Sequence, residues 1–273
     1  MMRRRWWRGG LGLAVGGWVM TTLAARGVAE DANPTAAERI VALHFEARGE
    51  DPTALPPARD RRGTEEEGRT ETGLRWRILP DVGVRVDRTW TLLGRAHHRA
   101  AGVHSEDGWQ QEVAPEARRP TPLGATETAR LRWEGWILAD PVAPLRPAFG
   151  AELTFLSERS LRGRAALWVR VEPPKGPPAV YVFDRESFLL LAVQMPWTFA
   201  GQEVPVLAVA TGVAREGTAL LETGFDFYVG DERFRRVRFE TTTAAPALLP
   251  ALFIEPAFPE RWLRSGGATP AAP

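Results

Sequence analysis

Residues 179–239 constrain the fold more than any other stretch, because short apolar runs follow one another there with only turns between them. The runs at 181–183 and 188–193 enclose a polar loop of four residues, 184–187, which is typical of a β-hairpin. In such runs one side is apolar and the other polar. The pattern predicts an antiparallel sheet with one covered face and one wet face.

A second hairpin is predicted further along the same stretch. Residues 225–229 and 237–239 alternate apolar and polar side chains on either side of a turn at Gly230 and Asp231. Residues 204–213 form another apolar run between the two hairpins. We therefore expect several sequential antiparallel strands in the second half of the chain.

The first half of the chain predicts a β-meander. Residues 74–78 and 82–92 alternate apolar and polar side chains around a Pro-Asp turn, and residues 95–104 continue the pattern. Asp107 and Gly108 then supply the residue types of a tight hairpin turn.

Two segments have helical rather than strand spacing. Residues 35–48 follow an Asn-Pro start and stop at a glycine, and they predict an amphipathic helix. Residues 121–140 predict a second, mid-chain helix that ends at Asp-Pro. Residues 51–73, rich in Pro, Arg, Glu and Gly, predict a surface loop or a polar edge strand. The apolar cluster at 252–254 is expected to pack onto the sheet.

Residues 1–29 have the features of an export signal: a basic start, a short apolar centre and a small-x-small site before Glu30. The arginines at 3–5 leave Sec and twin-arginine export both open. Cleavage removes five arginines and no acid, which changes the formal net charge from +1 to −4 and argues against nucleic-acid binding. We expect one domain over 30–263, a disordered tail over 264–273, and no stable membrane insertion after cleavage.

No motif for catalysis or metal binding is found. The chain has no cysteine, so it has no disulfide, no thiolate ligand and no cysteine nucleophile. His97 and His98 are adjacent in a predicted strand, so their side chains diverge, and His44 and His104 are expected to be ordinary packed or surface residues. We predict no enzyme activity, no cofactor and no metal site.

The strand period also predicts which side chains share the covered face. Leu74, Trp76 and Ile78 fall on one side of their strand, and the alternate residues of the next strand face the same way. Tryptophans and branched residues on one face indicate either a packed core or a cavity for an apolar guest. Trp76 and Trp90 are the leading candidates. The candidate groove residues are Trp76, Ile78, Val84, Val86, Trp90, Phe183 and Phe239.

Taken in order, four pieces of sequence resemble the LolA-like superfamily of bacterial lipoprotein carriers and outer-membrane lipoprotein-sorting proteins. Residues 37–49 are similar to its opening helix, which ends in "EA-x-G", and 107–109 to its "DG-x-x-GW" turn. Residues 181–190 resemble its "YYLD-x-ET-x-L" hairpin, and 252–256 its closing "LF-x-x-P". Residues 51–73 depart from the pattern, because relatives have a short strand lead-in there.

The resemblance implies a mainly β (α+β) fold: a strongly curved antiparallel sheet forming a half-open barrel, with helices over the concave face. It further implies a periplasmic, non-enzymatic carrier that holds a lipid or an acylated lipoprotein in a hydrophobic groove. The alternative is a structural or regulatory envelope module of the same fold, which contacts another protein and carries no lipid. Fold transfers between relatives more safely than cargo does.

Overall fold

One antiparallel sheet contains all thirteen strands that the structure describes. The computed structural model describes residues 34–174, 177–199, 201–244 and 246–256. The strands are β1 (Arg59–Glu67), β2 (Thr70–Leu79), β3 (Gly83–Leu92), β4 (Arg95–His104), β5 (Asp107–Ala114), β6 (Thr121–Pro122), β7 (Glu152–Leu161), β8 (Arg164–Glu172), β9 (Ala179–Asp184), β10 (Leu190–Phe199), β11 (Gln202–Glu216), β12 (Ala219–Val229) and β13 (Glu232–Ala244).

The sheet consists of two meanders joined at a central seam. The strand order is β6-β5-β4-β3-β2-β1-β13-β12-β11-β10-β9-β8-β7, so β1 pairs with β13 and the sheet does not close. Both hairpins predicted in the second half of the chain are present as β9–β10 and β12–β13. This open, mainly β arrangement with two helices fits the half-open barrel that the resemblance implied.

Helix α1 (Pro34–Arg48) is the predicted opening helix. It ends in a glycine at positive φ, Gly49 (+70°), and the amides of Gly49 and Glu50 donate back to the carbonyls of Glu46 and Phe45 at 3.0 Å each. This is the paired bonding of a Schellman cap, which satisfies carbonyls that the last turn would otherwise leave unpaired.

Helix α2 (Ala125–Ala139) is the predicted mid-chain helix, shortened at its start by β6. The Glu127 carboxylate accepts the Gly124 amide at 3.1 Å and so caps the first turn. Two short 3₁₀ turns, Ala143–Leu145 and Pro147–Phe149, lead from α2 to β7. Because β6 and β7 are the two edges of the sheet, α2 and these turns cross the face between them.

Both helices cover the same face of the sheet. Phe45 of α1, Ile137 of α2, Trp76 of β2 and Phe227 of β12 belong to one buried apolar cluster. A smaller cluster around Trp168 lies on the opposite, outer face. The inner face is therefore a filled core in this conformation, with the helices packed into it.

The interpretation of residues 51–73 as a loop or edge strand holds for residues 51–58, which contain no helix or strand, and was wrong from residue 59 onward. Residues 59–67 form β1, which has a hydrogen-bonded partner on each side. Both buried carboxylates of β1 are paired with arginines: the Asp60 carboxylate accepts from Arg75 at 2.9 Å, and Glu65 pairs with Arg88 at 2.8 Å and with Arg235. Paired charges permit a polar sequence at the centre of a sheet.

Two further details concern the turns and the chain end. His104 pairs with Asp107, so the turn between β4 and β5 consists of Ser105 and Glu106. The sequence predicted this turn at Asp107 and Gly108, two residues further along the chain. Residues 252–254 do contact the sheet, on its outer face: Phe253 is fully buried and its carbonyl accepts from the Trp109 indole N–H at 2.8 Å.

The predicted export signal (1–29) and tail (264–273) lie outside the described residues. Neither of the two helices in the described part of the chain is long and apolar enough to cross a membrane.

Candidate functional site

Four of the candidate groove residues form one patch on the inner face of β2 and β3. Trp76 lies opposite Val86, and Ile78 lies opposite Val84, in the antiparallel register. All four are at most 1% exposed. Cross-strand partners share a face of the sheet, so these side chains form a continuous apolar floor. We call these four residues the floor.

The other three candidates lie elsewhere. Phe183 of β9 is fully buried beneath α1, where its ring is 4.8 Å from that of His44. Phe239 of β13 lies under the Arg61 guanidinium, 3.7 Å from its ring centroid. Trp90 is only half-buried and stacks on His97 with ring centroids 5.3 Å apart. The structure thus gathers four of the seven candidates into one site.

Helix α2 rests directly on the floor at Gly135. A β-carbon at Gly135 would lie 2.7 Å from Val84 Cγ1, closer than side chains approach each other. Only glycine permits the helix to come this near to the sheet. The helix therefore acts as a cover whose distance from the floor is set by one residue.

Two clefts flank α2, one on each side. The first, which we call the apolar cleft, has a volume of about 730 Å³ and includes the floor residue Val84, Val103 and Trp136 of α2. Leu55 lies at this cleft and is 70% exposed. Both its size and its lining are those of small-molecule sites.

The second, the charged cleft, has a volume of about 500 Å³ and is lined by neighbours of the floor residues. Its lining includes Arg88, whose guanidinium lies 5.9 Å from the Trp76 ring centroid, and Ala101, which lies opposite Val86. Its other side is aromatic, with Trp197, Phe199 and Phe234. Clefts therefore lie on both flanks of α2, but only the apolar cleft is lined by a floor residue.

A buried ionic network closes the charged cleft from below. Glu65 of β1 and Glu134 of α2 both pair with Arg235 of β13, and both also pair with Arg88, at 2.8 and 3.5 Å. Burial alone would raise the pKa of Glu65, but the two guanidinium groups outweigh it and hold that pKa below its usual value. The sequence offered no signal for this network, because Glu65 belongs to a charge run typical of solvated surface.

A second buried network lies beneath the end of α1. The Arg48 guanidinium pairs with Glu222 and, at 3.0 Å, with Glu50, which also pairs with Arg146. The His44 Nδ1–H donates to the Phe188 carbonyl at 2.6 Å. Burial and, secondarily, the Arg48 cation lower the pKa of His44 from 6.5 to about 4, so this imidazole is neutral at pH 7.

A third cleft, of about 740 Å³, lies between α1 and the start of β7. Val41, Ala42 and Phe45 of α1 line one side, and Leu153 of β7 lines the other. This cleft is also mainly apolar, but it includes none of the four floor residues.

The histidines in the meander are separated by the strand geometry. His97 stacks on Trp90, whereas His98 Nε2 lies 3.0 Å from Asp87 Oδ1 on the opposite face of the sheet. Within the described ranges, no group of three or more His, Cys, Asp or Glu side chains could hold a metal ion.

Comparison with solved structures identifies this architecture. A LolA superfamily protein from Nitrosomonas europaea superposes with a TM-score of 0.52 at 11% identity, covering 80% of this chain and 97% of that one. The chain has the LolA fold. A domain assigned to outer membrane lipoprotein sorting in Vibrio parahaemolyticus matches the LolA fold of this chain with a TM-score of 0.50 at 8% identity, covering 81% and 97%. No protein-family model matches the sequence, and no curated protein matches it. The family resemblance in the sequence is thus confirmed as a likeness of fold.

Proposed function

We propose that this chain is an exported, non-enzymatic binding protein that holds an acyl chain, from a lipid or an acylated protein, between α2 and the floor. One observation carries the proposal: α2 lies on an apolar floor with a cleft on each side. The clefts measure about 730 and 500 Å³, within the range of roughly 300–1,000 Å³ for ligand sites. The LolA-fold neighbour assigned to lipoprotein sorting supports the same interpretation.

In this proposal the bound acyl chain takes over the contacts that α2 makes with the floor. The floor is at most 1% exposed because α2 covers it. Each CH₂ group that a guest buries there gains about 0.8 kcal/mol, so a long chain can offset the loss of contacts between α2 and the sheet. Short chains cannot. Affinity is therefore expected to rise with chain length until the space beneath α2 is full.

The test is displacement of a fluorescent fatty acid by saturated fatty acids of increasing length. A Val84→Arg variant should weaken binding while the fold persists, because Val84 borders the apolar cleft and a charge there can reach water. Val182→Arg is the matched control, since Val182 is as fully buried as Val84 but packs in the outer-face cluster, so this variant should unfold the protein. Both variants are checked by thermal unfolding.

Equal affinities for fatty acids of all chain lengths, together with unfolding of the Val84→Arg variant, would overturn the proposal. That outcome would mean the inner face is an ordinary core. It would favour the alternative, an envelope module that contacts another protein and carries no lipid.

A further inference from the structure

The charged cleft owes its shape to a β-bulge in β13. Phe227 of β12 pairs with Arg235, but the next residue, Tyr228, pairs with Arg233, so Phe234 is an extra residue with no partner opposite. Successive residues of a regular strand face opposite ways, whereas Phe234 and Arg235 both line the charged cleft. Bulges re-aim side chains in this way and are frequent beside functional sites.

Both polar members of the cleft contact the ring of Phe227. The Arg235 guanidinium lies 4.9 Å from the Phe227 ring centroid, and the Trp197 ring lies 5.7 Å from the same ring. Phe234 packs against Trp197 with centroids 5.8 Å apart. The cleft thus places an aromatic wall next to a guanidinium and an indole.

Both polar groups carry an N–H that is not used. Arg235 Nη2 and Trp197 Nε1 are buried and have no hydrogen-bond partner among the described residues. The two residues are 5% and 6% exposed, so bulk water reaches them poorly. A buried donor without an acceptor is costly, and an acceptor that enters the cleft would remove this cost.

The charges around Arg235 decide which acceptor fits. Glu65 and Glu134 already pair with Arg235, and with Arg88 they form a network of two cations and two anions. A third carboxylate placed here would be repelled by the two that are present. A neutral carbonyl oxygen accepts hydrogen bonds without adding charge.

We propose that the charged cleft binds the ester or amide carbonyl of an acylated ligand, so that the protein selects neutral acyl compounds over free fatty acids. This inference rests on the proposed function, with the acyl chain lying beneath α2. Arg235 Nη2 and Trp197 Nε1 donate to the carbonyl, and Phe234 packs against the first carbons of the chain.

The experiment compares three ligands with the same twelve-carbon chain: monododecanoylglycerol, dodecanoate and dodecanol. They present a neutral ester, a carboxylate and no carbonyl. Binding is measured by displacement of a fluorescent probe, below the concentration at which the ligands aggregate. The ester is expected to bind about tenfold more tightly than dodecanol, as two modest hydrogen bonds imply, and more tightly than dodecanoate because Glu65 and Glu134 repel the carboxylate.

The matched variants are Trp197→Phe and Trp168→Phe. Each removes one indole N–H from a tryptophan that is 6% exposed, but Trp168 lies on the outer face. Trp197→Phe should reduce the preference for the ester over the alcohol about threefold, and Trp168→Phe should leave it unchanged. The ratio of two affinities in one variant does not depend on its stability.

The outcomes separate the two proposals. Equal affinities for all three ligands in the unaltered protein would overturn the carbonyl site while acyl binding stands. Tighter binding of dodecanoate than of the ester would overturn the charge argument and with it the site. Absence of binding by all three, with no chain-length dependence for longer acids, would overturn acyl binding itself.

Discussion

Replacing Gly135 with alanine tests whether α2 is pressed onto the floor. The new β-carbon would lie 2.7 Å from Val84 Cγ1 and 2.9 Å from Val84 Cβ. Carbon atoms normally pack at roughly 3.5–4.0 Å, so the helix or Val84 must move by about 1 Å. Overpacking of this kind costs about 1–3 kcal/mol, whereas alanine returns about 1 kcal/mol of helix propensity. The net expectation is a loss of about 1 kcal/mol.

A double-mutant cycle isolates the contact. Val84→Ala alone should cost about 2 kcal/mol, from lost burial and the space left behind. In the double variant the methyl group added by Gly135→Ala occupies part of that space. The two changes together should therefore cost about 1 kcal/mol less than the sum of the single changes.

The assay is urea unfolding followed by tryptophan fluorescence, with the slope of the transition compared across the four proteins. Zero coupling, or stabilisation of the Gly135→Ala variant by the full helix-propensity gain, would refute the direct contact. Helix α2 would then not contact Val84 at Gly135. If Gly135→Ala also binds fatty acids faster than the unaltered protein, the contact between α2 and Val84 is connected to ligand binding.

Three more predictions follow from the buried charges and from the leader. Glu222→Gln should destabilise the fold by about 3 kcal/mol, measured in urea, because it removes a buried partner of Arg48; a near-neutral result would contradict the pairing. The contribution of His44 to the free energy of unfolding should be fully present above pH 6.5 and fall by about 3 kcal/mol towards pH 4, because the unfolded chain protonates His44 more readily; His44→Gln should lose correspondingly less stability over this range. Amino-terminal sequencing of the exported protein should give Glu30 and a protein free of membranes; a form that keeps residues 1–29 would contradict cleavage.

The sequence predicted the elements whose residues follow a clear period. Alternation located the β9–β10 and β12–β13 hairpins, and it assigned Trp76 and Val84 to the same face because a strand has a fixed period of two. The helices were located by their caps and spacing. These are local signals, and each one depends only on residues within one or two turns of the chain.

The rest could not be predicted because it depends on partners distant in sequence. Arg48 and Glu222 are 174 positions apart, so nothing near either residue indicates that it is buried and paired. The same holds for β1, whose charges give a surface pattern until Asp60 and Glu65 meet their arginines. The position of Trp90 outside the core has a related cause, since α2 covers only part of the inner face. The period of a strand does not indicate how far along it a helix packs.

The seam between β1 and β13 has a consequence for folding. Arg61 and Thr242, which meet across it, are 181 positions apart, so the seam can pair only after nearly the whole chain is present. Pairings of such long range are slow, while the hairpins on either side form locally and fast. Until then β1 is an unpaired edge, open to strands of other molecules. Charged residues on an exposed strand edge disfavour such pairing, and the sequence of β1, RDRRGTEEE, has seven of them among nine residues.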